Sequence, residues 1–378
     1  VAERRTVLAF ATQGAGSNDE ARILELLADH DVQRYAFDRA HKLANVRRLL
    51  QMTRRVRPAL IVMEGTGAAG ALAVLMARAL LGTPYVVSSG DAVGPFIAGA
   101  RPRLAVPAWG YEWLLYRAAA GFIGWTPYLV GRALTMGAPR GVSAPGFTPH
   151  PEAQLSREEV RDRLGVPRDA VVFGIVGGLD YNEHKGYCYG LELVRALRRV
   201  DREGLAVVVI GGGSGLDRLR ELAGEELGRR AFIPGPVPRR LVTSYLAGMD
   251  VGSLPQSLDQ VGAVRYTTKI SEYATARLPI VTGRLPVAYD LAEGWSWRLP
   301  GPAPWSEEYV DALAALMGSV TRQDIDARRA AMPSAMAEFD GRAQRRRVGA
   351  FVSDLLDDTA GDRRGRAGRR SPPGQRPR

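Results

Sequence analysis

The chain reads as an α/β protein of two doubly wound, Rossmann-like halves that face each other across a cleft. Three observations lead there. Apolar runs of strand length alternate with helical stretches through most of the 378 residues, as in parallel sheets covered on both faces. Glycines gather where several of those runs end, in βα turns that bring backbone close to backbone or to ligand. The alternation lapses once, around 146–168 within "GFTPHPEAQLSREEVRDRLGVPRDA", a Pro-rich connector with one charged helix, and the domain boundary is placed there.

In the first half, "TVLAFAT" (6–12) is a continuous apolar strand that ends in "QGAGSND" and the helical "EARILELLADH". "VQRYAF", a basic helix at 38–56, "ALIVME" (59–64), an Ala/Leu helix and "PYVVSSG" (84–90) continue the series. A helix "GYEWLLYRAAA", strand "GFIGW" (121–125), helix "PYLVGRALTMG" and strand "RGVSAP" complete it. The second half offers "VVFGIVGG" (171–178), "LAVVVIGGG" (205–213), "AFIPG" (231–235), "DVGSLP" (250–255), "PIVTG" (279–283) and "WRLPG". Helices at 306–318 and about 321–356 close the fold.

The formal charge of +11 suggests nucleic acid until it is located. Residues 361–378, "GDRRGRAGRRSPPGQRPR", carry seven arginines and one aspartate, so +6 sits there and +5 remains for the rest. That stretch is rich in Gly, Pro and Arg without an apolar face and reads as disordered from 358 to 378. No aromatic residue interleaves its arginines, so no nucleic-acid partner is expected. The single Cys188 excludes an intrachain disulfide and a thiolate metal site. A reducing cytoplasm fits, and no secretory leader is recognised in "VAERRTVLAFATQG". "AAGALAVLMARALLG" (68–82) is broken by Arg78 and too short to span a bilayer, so the expectation is a soluble or at most peripheral protein. The helix at 38–57 carries seven Lys/Arg against one Asp, with Leu43, Val46 and Leu50 spaced to face the core. Its basic side is either solvated or rests on anionic lipid at the inner face of a membrane.

Phosphate chemistry is suggested in two loops. "GIVGGLDYNEHKG" (174–186) sets Gly177 and Gly178 at a strand terminus with Lys185 beyond. Bare backbone amides and a point charge suit a diphosphate, though a tight turn with a solvated lysine accounts for the same residues. In "RYTTKISEYATARLPIVTG" (265–283), Lys269 stands in the first turn of a helix whose unpaired N–H groups favour an anion. Glu272, three residues on, can accept both hydroxyls of a ribose, or simply answer the helix dipole behind a Thr268 cap. The chain has three lysines, Lys42, Lys185 and Lys269, among 51 Lys/Arg. Two of the three fall in these loops, where arginine's fork would not replace a compact ammonium. "VIGGGSGLDRL" (209–219) breaks the dinucleotide register, with Leu216 where the third glycine belongs, so turn geometry is preferred to NAD binding.

Taken in order, these stretches resemble the GT-B glycosyltransferases, most closely the retaining family 4 group. Its second domain opens with a strand, "G-R-L…-E-K-G" and a helix, and later carries a glutamate-bearing helix followed by "G-x-P-V-V". Here "GGLDYNEHKG" and "KISEYATARLPIVTG" occupy those places, and the likeness runs over about 6–330. The resemblance implies an acceptor-side domain at 1–150, a donor-binding domain at 151–320 and a helix at 321–357 crossing back to the first. It implies that Gly178 and Lys185 contact the donor diphosphate, Glu272 the ribose, and Pro236 and Val237 the nucleobase. Gly14 and Gly16 would meet the diphosphate from the first domain. Two positions depart from the pattern: Gly178 stands where the family has arginine, so Lys269 is expected to supply that charge, and Val264 stands where it has the first of two glutamates. Asp91, just after a strand end, is the candidate base for the acceptor hydroxyl, unless it only caps the next helix. The expected activity is metal-independent transfer of a sugar from a nucleotide-diphosphate donor, with no cofactor beyond that co-substrate, to an unidentified hydroxyl acceptor. A non-catalytic sugar-nucleotide-binding homologue and an NAD-dependent sugar-modifying enzyme are the alternatives.

Overall fold

A computed structural model describes residues 5–148, 152–334, 336 and 338–368. It divides into two compact units, one running to Pro145 and resuming at Asp340, the other spanning Gly146–Phe339.

The first unit opens with β1 (Val7–Ala11), α1 (Asn18–Leu26), β2 (Val32–Arg34), α2 (Lys42–Val56), β3 (Leu60–Glu64) and α3 (Ala68–Leu81). It continues through β4 (Tyr85–Ser89), α4 (Val93–Ala100), α5 (Ala105–Arg117), β5 (Gly121–Gly124), α6 (Pro127–Thr135) and β6 (Gly141–Ser143). All six strands are parallel, in the order β2-β1-β3-β4-β5-β6. From β2 onward each crossover steps past or away from β1 in one direction. Right-handed connections therefore place α2, α3, α4–α5 and α6 on one face and α1 on the other.

The second unit begins with α7 (Arg157–Leu164), β7 (Val171–Val176), α8 (Leu191–Leu197), β8 (Leu205–Ile210), α9 (Leu216–Ala223) and β9 (Ala231–Gly235). Then come α10 (Val242–Ala247), β10 (Val251–Leu254), α11 (Thr268–Thr275), β11 (Ile280–Gly283), α12 (Pro286–Asp290) and β12 (Ser296–Leu299). The sheet order is β12-β11-β10-β7-β8-β9, again all parallel. Helices α13 (Glu307–Ser319) and α14 (Arg322–Ala331) follow, and α15 (Gly341–Gly368) belongs to the first unit. There Arg345 of α15 pairs with Asp29, Gly349 O lies 3.2 Å from His30 Nε2, and Asp357 pairs with Arg5 at 2.8 Å.

Three expectations are corrected. Leu43 does not face the core: α2 begins only at Lys42, its buried stripe is Asn45, Val46, Leu49 and Thr53, and Leu43 is 81% exposed. The single helix expected at 321–356 is two, because α14 stops before Pro333, which cannot continue it. The stretch read as disordered from 358 is helical to Gly368. Val348, Val352, Leu355 and Leu356 anchor α15 and ion pairs fix Asp357 and Asp358, and a nucleated helix elongates readily. The rest of that stretch, 369–378, lies outside the described residues.

The core of the first unit contains an ion pair. Arg22 on α1 donates to Glu64 at the end of β3 (2.8 Å), with both side chains buried. It also donates to the Ala144 carbonyl and lies over the Trp125 ring at 4.4 Å, while Trp125 Nε1 donates to the other Glu64 oxygen at 3.1 Å. Burial pushes the Glu64 carboxyl up and the Arg22 guanidinium down, and their mutual attraction opposes both shifts. Truncating one partner leaves the other charged and buried. Glu64→Ala should therefore lower urea stability by about 3–5 kcal/mol, and Arg22→Met with Glu64→Leu by clearly less. Equal losses for the single and double variants would mean that packing, not the charge, dominates.

Candidate functional site

Ligands of open parallel sheets bind beyond the strand C-termini where the winding reverses. In the second unit that point lies between β7 and β10, and the two lysines are found beside it. After β7 the chain turns through Gly177 and Gly178. Lys269, buried in the first turn of α11, reaches back over this turn. A Cβ on Gly177 would stand 2.8 Å from Lys269 Cε and 2.9 Å from Nζ, so the lysine occupies the space a side chain would need. Its ammonium lies 4.0 Å from the Tyr189 ring centroid, a cation–π contact. At Gly178 the nearest atom to a Cβ is Asp180 Oδ2 at 4.0 Å, which leaves room for a larger residue.

From Tyr189 a row of rings leads to the other lysine. Tyr189 meets Tyr187 edge-on at 6.3 Å, Tyr187 meets Trp305 at 5.2 Å, and Lys185 Nζ lies 4.8 Å over Trp305. Lys185 also pairs with Asp259 at 3.6 Å. Asp259 lies beyond β10 and accepts from the Val261 and Gly262 amides and the Ser257 hydroxyl. These bonds outweigh its partial burial and hold its carboxyl below the usual range.

Helix α11 is capped differently than expected. Thr267, not Thr268, is the N-cap, and no side chain caps the helix. Its first-turn amides therefore have no side-chain acceptor, the condition that suits an anion. Glu272 is half-buried on the same helix. Burial pushes its carboxyl up, opposed by Lys269 and then by Arg239. Arg239 follows the Pro236–Val237 turn at the end of β9, where Pro236 flanks Gly212 at 3.6 Å from its would-be Cβ.

The glycines of "IGGGSG" have a packing explanation. A Cβ on Gly211 would lie 1.8 Å from the Gly177 carbonyl oxygen, and one on Gly213 would lie 2.5 Å from the Leu179 carbonyl carbon. Leu179 N donates to Gly212 O at 2.9 Å. The β8 turn is pressed backbone to backbone on the β7 turn, which requires glycine whatever binds nearby.

Gly177, Gly178, Lys269, Glu272, Lys185, Pro236 and Val237 thus line one strand-end rim of the second unit. Gly14, Gly16 and Asp91 belong to the first unit. Gly14 and Gly16 follow β1 at that sheet's own reversal point, between β1 and β3. Both amides are engaged locally, Gly14 N with Ala11 O at 3.1 Å and Gly16 N with Glu20 Oε2 at 2.6 Å. Asp91 follows β4, with its amide donating to Ser89 Oγ at 3.2 Å. The N-cap position of α4 is Ala92. Sequence reasoning missed Tyr189, Trp305 and Arg239. The arginine doublet after "PGPVP" was the only available signal for Arg239, and nothing local marks the two aromatics.

Solved structures share this fold. Sucrose-phosphate synthase from Thermosynechococcus elongatus superposes with a TM-score of 0.64 at 13% identity, covering 97% of this chain and 100% of that one. The fold is GT-B. A UDP-forming α,α-trehalose-phosphate synthase from Burkholderia vietnamiensis gives 0.62 at 14% identity, over 93% of this chain and 97% of the other. In sequence, the GT-B chain is 35% identical over 188 residues to D-inositol 3-phosphate glycosyltransferase of Corynebacterium urealyticum. That match covers 47% of this chain and 41% of the relative, so the chain spans less than half of the relative's length. No protein-family profile matches the chain.

The raised Glu272 carboxyl leads to a prediction. Burial disfavours its ionised form in the fold, so the folded-state pKa exceeds the unfolded one, and ionisation costs stability above it. Glu272→Gln should melt above the wild type at neutral pH, with the gain shrinking as pH falls through the raised value. A lower melting temperature at neutral pH would place the carboxylate in a favourable native network instead.

Proposed function

We propose that the chain transfers a sugar from a nucleoside-diphosphate donor to a hydroxyl acceptor. The observation that carries this reading is the Lys269 ammonium laid over Gly177 at the winding reversal, on a helix that also bears Glu272. Lys269, the uncapped amides of α11 and Lys185 would meet the diphosphate as negative charge develops on it, electrostatic work that needs no metal. Lys269 stands in for the arginine whose family position is Gly178. Glu272 accepts the ribose hydroxyls and the Pro236–Val237 turn borders the base. Gly14 and Gly16 approach the diphosphate with their bare Cα faces, and Asp91 takes the acceptor's proton. A UDP donor is favoured by the UDP-forming structural neighbour. Retention of configuration follows the family 4 likeness, and with Val264 in place of a glutamate the product's anomeric configuration is the point to measure. The acceptor is a small molecule, a lipid-linked sugar or a polysaccharide. The reading places the protein in the cytoplasm, in peripheral contact with an anionic membrane surface, supported by the arginines along α2.

The same departures at Gly178 and Val264 favour a second reading, a nucleotide-sugar-binding homologue without turnover. Release of UDP from a UDP-sugar by the purified chain, with or without acceptor, separates the two.

Thermal unfolding against UDP, GDP, dTDP, ADP and NAD tests the donor site. A nucleoside diphosphate at a hundred times its dissociation constant should add about 2.7 kcal/mol, a rise of several degrees. Lys269→Ala should abolish the rise, and adding Gly178→Arg should restore part of it. An unchanged response in Lys269→Ala, or a response to NAD alone, overturns the assignment.

A further inference from the structure

The least explained surface of the molecule is the α4–α5 hairpin of the first unit. Helix α5 is apolar on two sides. Ala108, Leu115 and Tyr116 are buried, and on the opposite side Val106 is 84%, Trp109 39%, Trp113 49% and Leu114 48% exposed. Phe96 on α4 and Leu104 in the connecting turn extend the patch. A helix apolar all round ordinarily has both sides covered, and a contiguous exposed apolar patch marks an interaction surface.

The charges decide what covers it. Between Ala92 and Arg117 the only acidic residue is Glu112, which is fully buried and held by Arg132 through bonds of 2.8 and 2.7 Å. The exposed charges, Arg101, Arg103 and Arg117, are all positive, and Arg117 lies 5.6 Å from the Trp113 ring centroid. The segment contains no Ser, Thr, Asn, Gln, Asp or Lys. It thus lacks the polar rim through which protein interfaces make about one hydrogen bond per 100–200 Å², and two copies would meet with like charges. Exposed tryptophans, aliphatic residues and arginines without acids are the composition of a bilayer interface. The right-handed crossovers place α2 in the same helical layer, with Arg47, Arg48, Arg54 and Arg55 exposed.

We propose that the α4–α5 hairpin is a monotopic anchor that lies in the interface of an anionic bilayer. Phe96, Leu104, Val106, Trp109 and Trp113 enter the headgroup–acyl boundary while Arg101, Arg103 and Arg117 meet lipid phosphates. At 13 residues, α5 spans only about 20 Å and lies along the surface. Among the described residues no helix is long and apolar enough to cross a membrane. The inference deepens the membrane contact proposed above by naming the element that makes it, and it stands without the transfer reaction.

The test is co-sedimentation of the full chain with vesicles of phosphatidylcholine alone, or with about one-third phosphatidylglycerol, to cover a several-fold range in surface charge. The wild type should bind the anionic vesicles and not the neutral ones. Val106→Asp with Trp113→Gln should weaken binding roughly tenfold or more, and Arg101→Glu with Arg103→Glu, on an exposed turn, should do the same. Circular dichroism and melting temperature check that each variant is folded. Three results overturn the anchor: no vesicle binding by the wild type, binding unchanged in both variants (which would leave contact to α2 alone), or a concentration-dependent dimer that these substitutions dissolve without any vesicle binding. Because the assay contains no nucleotide, failure of the donor-site experiment leaves its outcome unaffected, and the reverse holds equally.

Discussion

The site in the second unit depends on one constraint: two strand-end turns run backbone against backbone, with no side chain between them. Gly211 can press on the Gly177 carbonyl only because Gly211 has no Cβ. That contact fixes where the β7 turn leaves the sheet, and so what Lys269 can lie upon. The lysine then closes the space above Gly177, with Tyr189 behind it. A side chain on Gly177 would strike the lysine directly, and one on Gly211 would displace the turn on which the lysine lies. A glycine-rich turn is thus compatible with phosphate chemistry yet does not establish it, since packing alone demands these glycines. The discriminating residue is the lysine.

Both units tie strand ends together with a buried arginine–carboxylate cluster. In the first, the ends of β3 and β5 are tied together by the buried Arg22–Glu64 pair under Trp125. In the second, Asp250 beside β10 binds Arg161 and Arg157 from α7 and accepts from the Val172 amide of β7. Both devices place a carboxylate where bare backbone or guanidinium donors would otherwise be unsatisfied. Such pairs contribute little net stability over apolar packing, and breaking one side of them is expensive. They therefore fix an arrangement more than they strengthen it.

Sequence reading worked where a local rule governs and failed where tertiary packing does. Parallel strands buried on both faces appear as unbroken apolar runs, so β1, β3, β7 and β8 were legible, and with them the doubly wound class. Helix boundaries were less so: α4 lies in a segment whose two glycines and proline weaken any helical pattern, and α5 packs against it. Leu43 has the right spacing for the core, but periodicity cannot say where a helix starts. The two lysines could be nominated from composition and position. Their aromatic connection could not, because Tyr187, Tyr189 and Trp305 are brought into line only by the turn at Asn182–Tyr187 and the approach of α13 to α8.

The retention of lysine in an arginine-rich chain has a geometric counterpart at position 269. The side chain must pass over a glycine at which a Cβ would stand less than 3 Å from it, with a tyrosine face beside it. A tetrahedral ammonium on a slim methylene stem fits that slot and still presents its three donors in any direction. A guanidinium is planar and broader, with donors in a fixed fork, and would have to turn edge-on between the ring and Gly177. Where only positive charge is needed, as along α2 and α15, this chain uses arginine almost without exception. At Lys269 shape matters as well as charge, and the shape is set by the backbone contact between two turns rather than by any residue near it in sequence.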